Sequence, residues 1–297
     1  MSKTFSRLDK IPRGYSSYNM TKGCLVLEGG AFRGLYTEGV LDYFMEQDLN
    51  FQCVIGVSAG ALNGANYVAG QIGRSARINL SNRYNRDYIG AKALIKSHSL
   101  INLDFLFDSK YVEPLNKRHF YNSQQRFVAV VTNCLTGKAE FFEKDDKNIL
   151  QAVKASATMP YIAPPVEIEG VPYYDGGCSS YKLPFQWAID EGYDKIVVVK
   201  TREDSYRKRI KESHMASRVY KKYPEFAKVF EESDRNYNHL CYTLEQLRQE
   251  GRIFVVSPSQ EVKVERIEKD VEKLGELYEL GYRDAENNLS ALKEYLK

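Results

Sequence analysis

The strongest constraint on this chain is a repeated unit: a short, unbroken apolar run stops at glycine and gives way to a helical pattern. Cys24-Leu25-Val26-Leu27 ends in Glu28-Gly29-Gly30, and Leu35, Val40, Leu41 and Phe44 follow at roughly helical spacing. Cys53-Val54-Ile55 ends at Gly56, and 59–69 is a run of small residues suited to a helix packed closely on a sheet. Apolar runs without alternation read as strands buried on both faces. Strands alternating with helices give an α/β fold with a mainly parallel central sheet. Further strands are predicted at 127–131, around Glu140-Phe141-Phe142, at 196–199 and at 253–256, with a hairpin closing through Glu169-Gly170. Helices are predicted over 148–158 and about 183–191.

A length of 297 residues suits one large domain, with or without an appendage. Residues 1–22 show no periodicity and are expected to form an N-terminal arm. Residues 23–297 are expected to form the domain. Within it, 202–250 reads as a charged, mostly helical insert or cap, interrupted at Pro224. A net charge of +3 is too small to argue for nucleic acid. The five cysteines are odd in number and include no C-x-x-C pair, which argues against a disulfide framework and a zinc site. A reducing, cytoplasmic compartment is the plain reading. No secretion signal, transmembrane helix, metal or organic cofactor is expected.

Three segments carry chemistry. Gly56-Val57-Ser58-Ala59-Gly60 is a G-x-S-x-G pattern lying between an apolar strand and a small-residue helix, the setting a nucleophile elbow needs. Its bland alternative is a tight turn with a buried serine. Gly29-Gly30-Ala31-Phe32-Arg33-Gly34 follows the first strand, and its small residues expose backbone N–H groups. Such a loop serves as an oxyanion hole or as a phosphate cradle. The nucleotide version is poorly supported, because Ala31 breaks G-x-G-x-x-G and no Walker lysine follows. Arg33 either orients the loop, contacts a lipid phosphate, or is a surface arginine. Asp175-Gly176-Gly177 closes the predicted hairpin and, alone, is most simply a turn.

Together, in this order and spacing, the three segments resemble the patatin-like phospholipase family. Ser156-Ala157-Thr158-Met159-Pro160, with Pro164-Pro165, and the stretch 194–202 resemble its bacterial branch. The likeness covers roughly 22–202 and is looser over 253–285. It implies a three-layer α/β/α sandwich and a Ser–Asp dyad, with Ser58 as nucleophile and Asp175 as base. It also implies an oxyanion region from Gly29, Gly30, Ala31 and the Arg33 backbone, and an elbow framed by Gly56 and Gly60. Ala31, where the family has glycine, departs from the pattern, as does Ser180-Tyr181-Lys182-Leu183-Pro184. The implied activity is hydrolysis of carboxylic esters of lipids, phospholipase A- or lysophospholipase-like. The implied partner is a lipid ester, with any membrane contact peripheral.

Two rivals stay open. A Ser–His–acid triad needs a histidine beyond the acid, and His214 and His239 satisfy that order, though each lies in a charged stretch that reads as solvated helix. His98 and His119 precede Asp175 and fit less well. A catalytically silent lipid-binding or regulatory module on the same scaffold is the other. The apolar cluster around Leu103, Phe105, Leu106 and Phe107 reads as core first and as an acyl groove second. Residues 202–222, with eight Lys/Arg against three Asp/Glu, read as a solvated helix face before a headgroup contact.

Overall fold

A computed structural model describes residues 4–297; residues 1–3 of the expected arm lie outside the described residues. The chain begins with β1 (Gly14–Tyr15) and β2 (Thr21–Leu27), then α1 (Gly34–Glu46), β3 (Phe51–Val57) and α2 (Ala59–Val68). Next come β4 (Gln71–Ile72), α3 (Arg74–Asn82), α4 (Ala91–Ser97) and α5 (Lys117–Asn122). The middle holds β5 (Arg126–Asn133), β6 (Ala139–Glu143), α6 (Ile149–Ser156), β7 (Val166–Ile168), β8 (Val171–Asp175), α7 (Phe185–Asp190) and β9 (Ile196–Val199). The chain closes with α8 (Met215–Val219), α9 (Pro224–Gln249), β10 (Ile253–Val256) and α10 (Val271–Leu296).

The central sheet runs β10-β9-β2-β3-β5-β8-β7, with β6 on the other edge of β5. β10, β9, β2, β3 and β5 are parallel to their neighbours; β6, β8 and β7 join antiparallel. The apolar strand runs feed two cores because successive side chains point to opposite faces. Leu25, Leu27, Val54, Phe127, Val197 and Val199 pack toward α1, α2, α6 and α10. Cys24, Val26, Cys53, Ile55, Val128 and Val198 pack toward α7 and α9. The architecture is the α/β/α sandwich with a mainly parallel sheet that the sequence predicts.

The charged stretch differs from its sequence reading. Residues 202–214 form no helix, and Pro224 starts α9 instead of interrupting a helix. Proline fits a first helical turn, where its missing N–H has no acceptor to lose. Residues 4–22 are tied down locally: Phe5 and Ile11 are buried, and the Phe5 ring fills the space beside Gly275 on α10. Among the described residues, no helix is long and apolar enough to cross a membrane.

Candidate active site

Strand register brings the distant residues together. Val57, the last residue of β3, pairs with Val130 of β5. One residue further along β5, Val131 pairs with Asp175 of β8. The opposite edge of β5 is already occupied there by β6, so β8 takes over the edge that β3 leaves. Ser58 therefore turns out of the sheet where Asp175 enters it.

The turn at Ser58 is sharp. Its φ of 56° and ψ of −125° place a non-glycine residue in a sparsely populated conformation, which costs on the order of 1–3 kcal/mol unless the surroundings hold it. They do. Ser156, fully buried at the end of α6, accepts the Ser58 N–H at 2.9 Å and donates to Val130 O at 2.6 Å. Gly56 and Gly60 allow the backbone to close: a Cβ on Gly56 would lie 2.4 Å from Gly60 O, and one on Gly60 would lie 2.4 Å from Leu27 O. The sequence contains Ser156 in its family-like run but gives it no role; only the folded contact does.

Asp175 is buried, and its carboxylate accepts the Gly177 N–H at 2.8 Å. Burial raises its pKa above the ordinary aspartate value. The Ser58 hydroxyl opposes that shift as a hydrogen-bonding neighbour, and so do Gly177 N–H, Lys182 and Arg266.

The glycine loop lies against this pair. A Cβ on Gly29 would lie 2.7 Å from Ser58 Cβ, so no side chain fits between them. Ala31 adopts φ 50°, a left-handed conformation that glycine occupies more easily. The N–H groups of Gly30 and Ala31 have no protein acceptor among the described hydrogen bonds, whereas Arg33 N–H donates to Gly30 O at 3.1 Å. That leaves the side chain of Arg33, not its amide, free to act. Glu28 and Thr201 brace the loop: Thr201 Oγ1 donates to Glu28 Oε2 and lies 3.1 Å from Gly29 O. Neither residue stands out in the sequence.

Two spaces meet at Ser58, and Ala31, Ser58 and Met159 line both. One is an apolar cavity of about 80 Å³ whose walls include Phe32, Leu35, Leu62, Leu103, Leu106 and Phe107. The apolar cluster thus divides: Leu103, Leu106 and Phe107 face the cavity, while Phe105 stacks on Tyr88 and Tyr111 in the core. The other is a wider basin of about 700 Å³ that holds Asp175, Arg33, Lys182, Arg202, Lys208, Lys211 and Arg266. Lys182 and Lys208 share Asp234, at 3.2 Å and 2.6 Å. Arg33, Arg202 and Arg266 have no carboxylate within 4.0 Å among the described ion pairs; burial and the two neighbouring arginines push Arg33 down to about 10. So the 202–211 stretch is not a helix face: Arg202, Tyr206, Lys208 and Lys211 line the basin, while Asp204, Ser205, Arg209 and Ile210 are exposed. Lys182, Lys208 and Arg266 are site residues that sequence reasoning did not single out. None of the four histidines lines either space; His214 and His239 are exposed.

Ser58 thus sits at a strained strand-to-helix turn, beside a buried aspartate on a mainly parallel sheet. Residues 25–189 match the patatin-like phospholipase family, and the chain belongs to that family. Residues 223–297 match a domain of unknown function (DUF6363). A similar curated protein is the uncharacterized protein YjjU of Escherichia coli (strain K12), 30% identical over 183 residues, 60% of this chain and 51% of that protein. This chain thus spans about half the length of that relative. The probable lipid hydrolase 463L of Invertebrate iridescent virus 6 is 26% identical over 219 residues, 66% of this chain and 75% of that protein. The solved structure of VipD from Legionella pneumophila aligns over 91% of this chain and 67% of that one, at 13% identity and a TM-score of 0.42.

Proposed function

We propose that this protein is a serine acyl hydrolase that cleaves carboxylic esters of lipids, with Ser58 as nucleophile and Asp175 as general base. The observation that carries the reading is the register that sets Ser58 beside Asp175 at the junction of an apolar cavity and a cationic basin. In this scheme the acyl chain enters the cavity and an anionic phosphate headgroup sits in the basin near Arg33, Arg202 and Arg266. Five free, buried cysteines fit a reducing, cytoplasmic setting; in this scheme any membrane contact is peripheral and is made to reach the lipid ester.

The chemistry follows from the groups at hand. Ser58 Oγ attacks the ester carbonyl while its proton passes to the Asp175 carboxylate. Burial makes that carboxylate a stronger base than a solvated aspartate, which brings it nearer the pKa of a useful catalyst. The oxyanion that forms meets the N–H groups of Gly30 and Ala31, with that of Ala59 at the start of α2, each donor worth roughly 3 kcal/mol. Collapse breaks the bond to the alcohol, which leaves with the proton from Asp175. Water then attacks the acyl-enzyme, gives its proton to Asp175, and Ser58 recovers its own.

The test is labelling by a fluorophosphonate probe together with hydrolysis of p-nitrophenyl and phospholipid esters. Ser58→Ala should lose both signals. Asp175→Asn should lose turnover, and His239→Ala should keep it. An active Asp175→Asn beside a dead His239→Ala would move the assignment to a triad. A folded wild type that neither labels nor hydrolyses would favour a binding module.

A further inference from the structure

The apolar cavity at Ser58 has a wall that a plain hydrocarbon chain cannot satisfy. Glu38, on α1, lines it and is only 4% exposed. Its Oε1 accepts the Asn79 side-chain amide at 2.9 Å, but Oε2 is buried with no hydrogen-bonding partner among the described residues. Burial and the nearby Asp42 push this carboxyl well above the ordinary glutamate range, which favours its protonated form, and a protonated carboxyl can both donate and accept. Arg74, in the same wall, is already engaged: it donates to Glu113 O at 2.9 Å, Leu106 O at 2.9 Å and Asn66 Oδ1 at 3.4 Å. Glu38 Oε2 is thus a buried, unpaired polar atom on a residue that lines the cavity, beside Leu35, Asn63, Ser75, Ile78, Leu103 and Phe107.

A buried polar atom without a partner is costly, and sealing it under hydrocarbon keeps that cost in the complex. We propose that the cavity selects acyl groups that carry a hydroxyl, with the Glu38 carboxyl as the group that pairs with it. The inference rests on the reading of Ser58 as the nucleophile that takes the acyl group. A hydroxyl suits the position because it donates and accepts, so it pairs with either oxygen state of the carboxyl. A site that hydrogen-bonds a substrate hydroxyl rejects the analogue that lacks it, because the protein group is then left unpaired.

The full-length chain is assayed with p-nitrophenyl decanoate and with p-nitrophenyl hydroxydecanoates bearing the hydroxyl near the ester, midway and at the far end. At least one isomer should be hydrolysed with kcat/KM about tenfold or more above the plain ester. Glu38→Leu should bring that ratio to about one, and Glu38→Gln should retain part of it. No preference in the wild type, or a preference that Glu38→Leu leaves intact, overturns the inference. Should Glu38→Leu fail to fold, calorimetric binding of decanoic and hydroxydecanoic acids to Ser58→Ala, with and without Glu38→Gln, reads the same discrimination without turnover. Equal affinities there overturn it as well. Hydrolysis of every ester at one rate sinks this inference and spares the nucleophile. Selective binding without any hydrolysis does the reverse.

Discussion

At the residue scale, the site is held by contacts that work against local preference. Ser58 keeps its strained backbone because Ser156 bridges its N–H to Val130 O. Ser156→Ala removes both bonds at once and strands two buried backbone groups. We expect a loss of about 1–3 kcal/mol of stability and a fall of about 10- to 100-fold in kcat/KM as Ser58 drifts from its position. Urea unfolding and ester kinetics on the same variant check both. Asp175 carries the opposite signature. Its folded pKa is raised by burial, so the native state holds the proton more tightly than the unfolded chain does. The raised group contributes most to stability below the ordinary aspartate value of about 3.9, and that contribution is lost as pH climbs through the folded value. Asp175→Asn, neutral at every pH, should thus abolish turnover and yet melt higher than wild type at neutral pH. The difference should shrink on acidification and vanish below the ordinary aspartate range. A variant that melts lower at neutral pH would mean that the hydrogen bonds to the carboxylate outweigh its burial.

At the element scale, much was legible and one thing was not. The unbroken apolar runs mark strands buried on both faces, and the glycines mark the turns after them, because each follows from short-range physics. Ser58 and Asp175 were readable as types in a pattern, but their meeting depends on β8 replacing β3 along β5, a pairing that no local signal specifies. The basic run was legible only in part for a related reason. A run of Lys and Arg looks the same whether it faces water or lines a cavity, and only the fold separates Arg202, Lys208 and Lys211, which line the basin, from Arg209, which is exposed and lines neither space. Helix pairing shows the same limit. Gly39 on α1 and Gly281 on α10 look like poor helix residues. A Cβ on Gly39 would lie 2.1 Å from Tyr278 O, and one on Gly281 would lie 2.0 Å from Tyr36 O. Gly39→Ala gains about 1 kcal/mol of helix propensity but forces the helices apart, typically at 1–3 kcal/mol or more. We expect a net loss of stability, read as a lower urea midpoint; a midpoint that rises would show that the two helices part at little cost.

At the scale of the whole molecule, the family-like part of the chain does not close its own core. α10 packs along α1, with Tyr278 Oη donating to Asp42 at 2.9 Å and Tyr36 Oη donating to Asp284 at 3.1 Å. β10 extends the sheet beyond β9, pairing Ile253 with Ile196 through to Val256 with Val199. Both elements lie in 223–297, outside the span that matches the patatin-like family. Leu274, Leu277, Leu280 and Leu292 of α10 are all buried. At about 1.5–3 kcal/mol for each, their burial amounts to roughly 6–12 kcal/mol, which is comparable with the whole stability of an ordinary domain at about 5–15 kcal/mol. Removing residues 251–297 would uncover the face of α1 and the edge of β9 together, and an uncovered parallel edge invites association with other chains. The truncated protein should therefore lack a cooperative thermal transition, bind a hydrophobic dye and aggregate, and it should lose turnover although Ser58, Asp175 and the glycine loop are all retained. A truncated chain that melts cooperatively near the full-length temperature would show instead that the first 250 residues hold the site unaided.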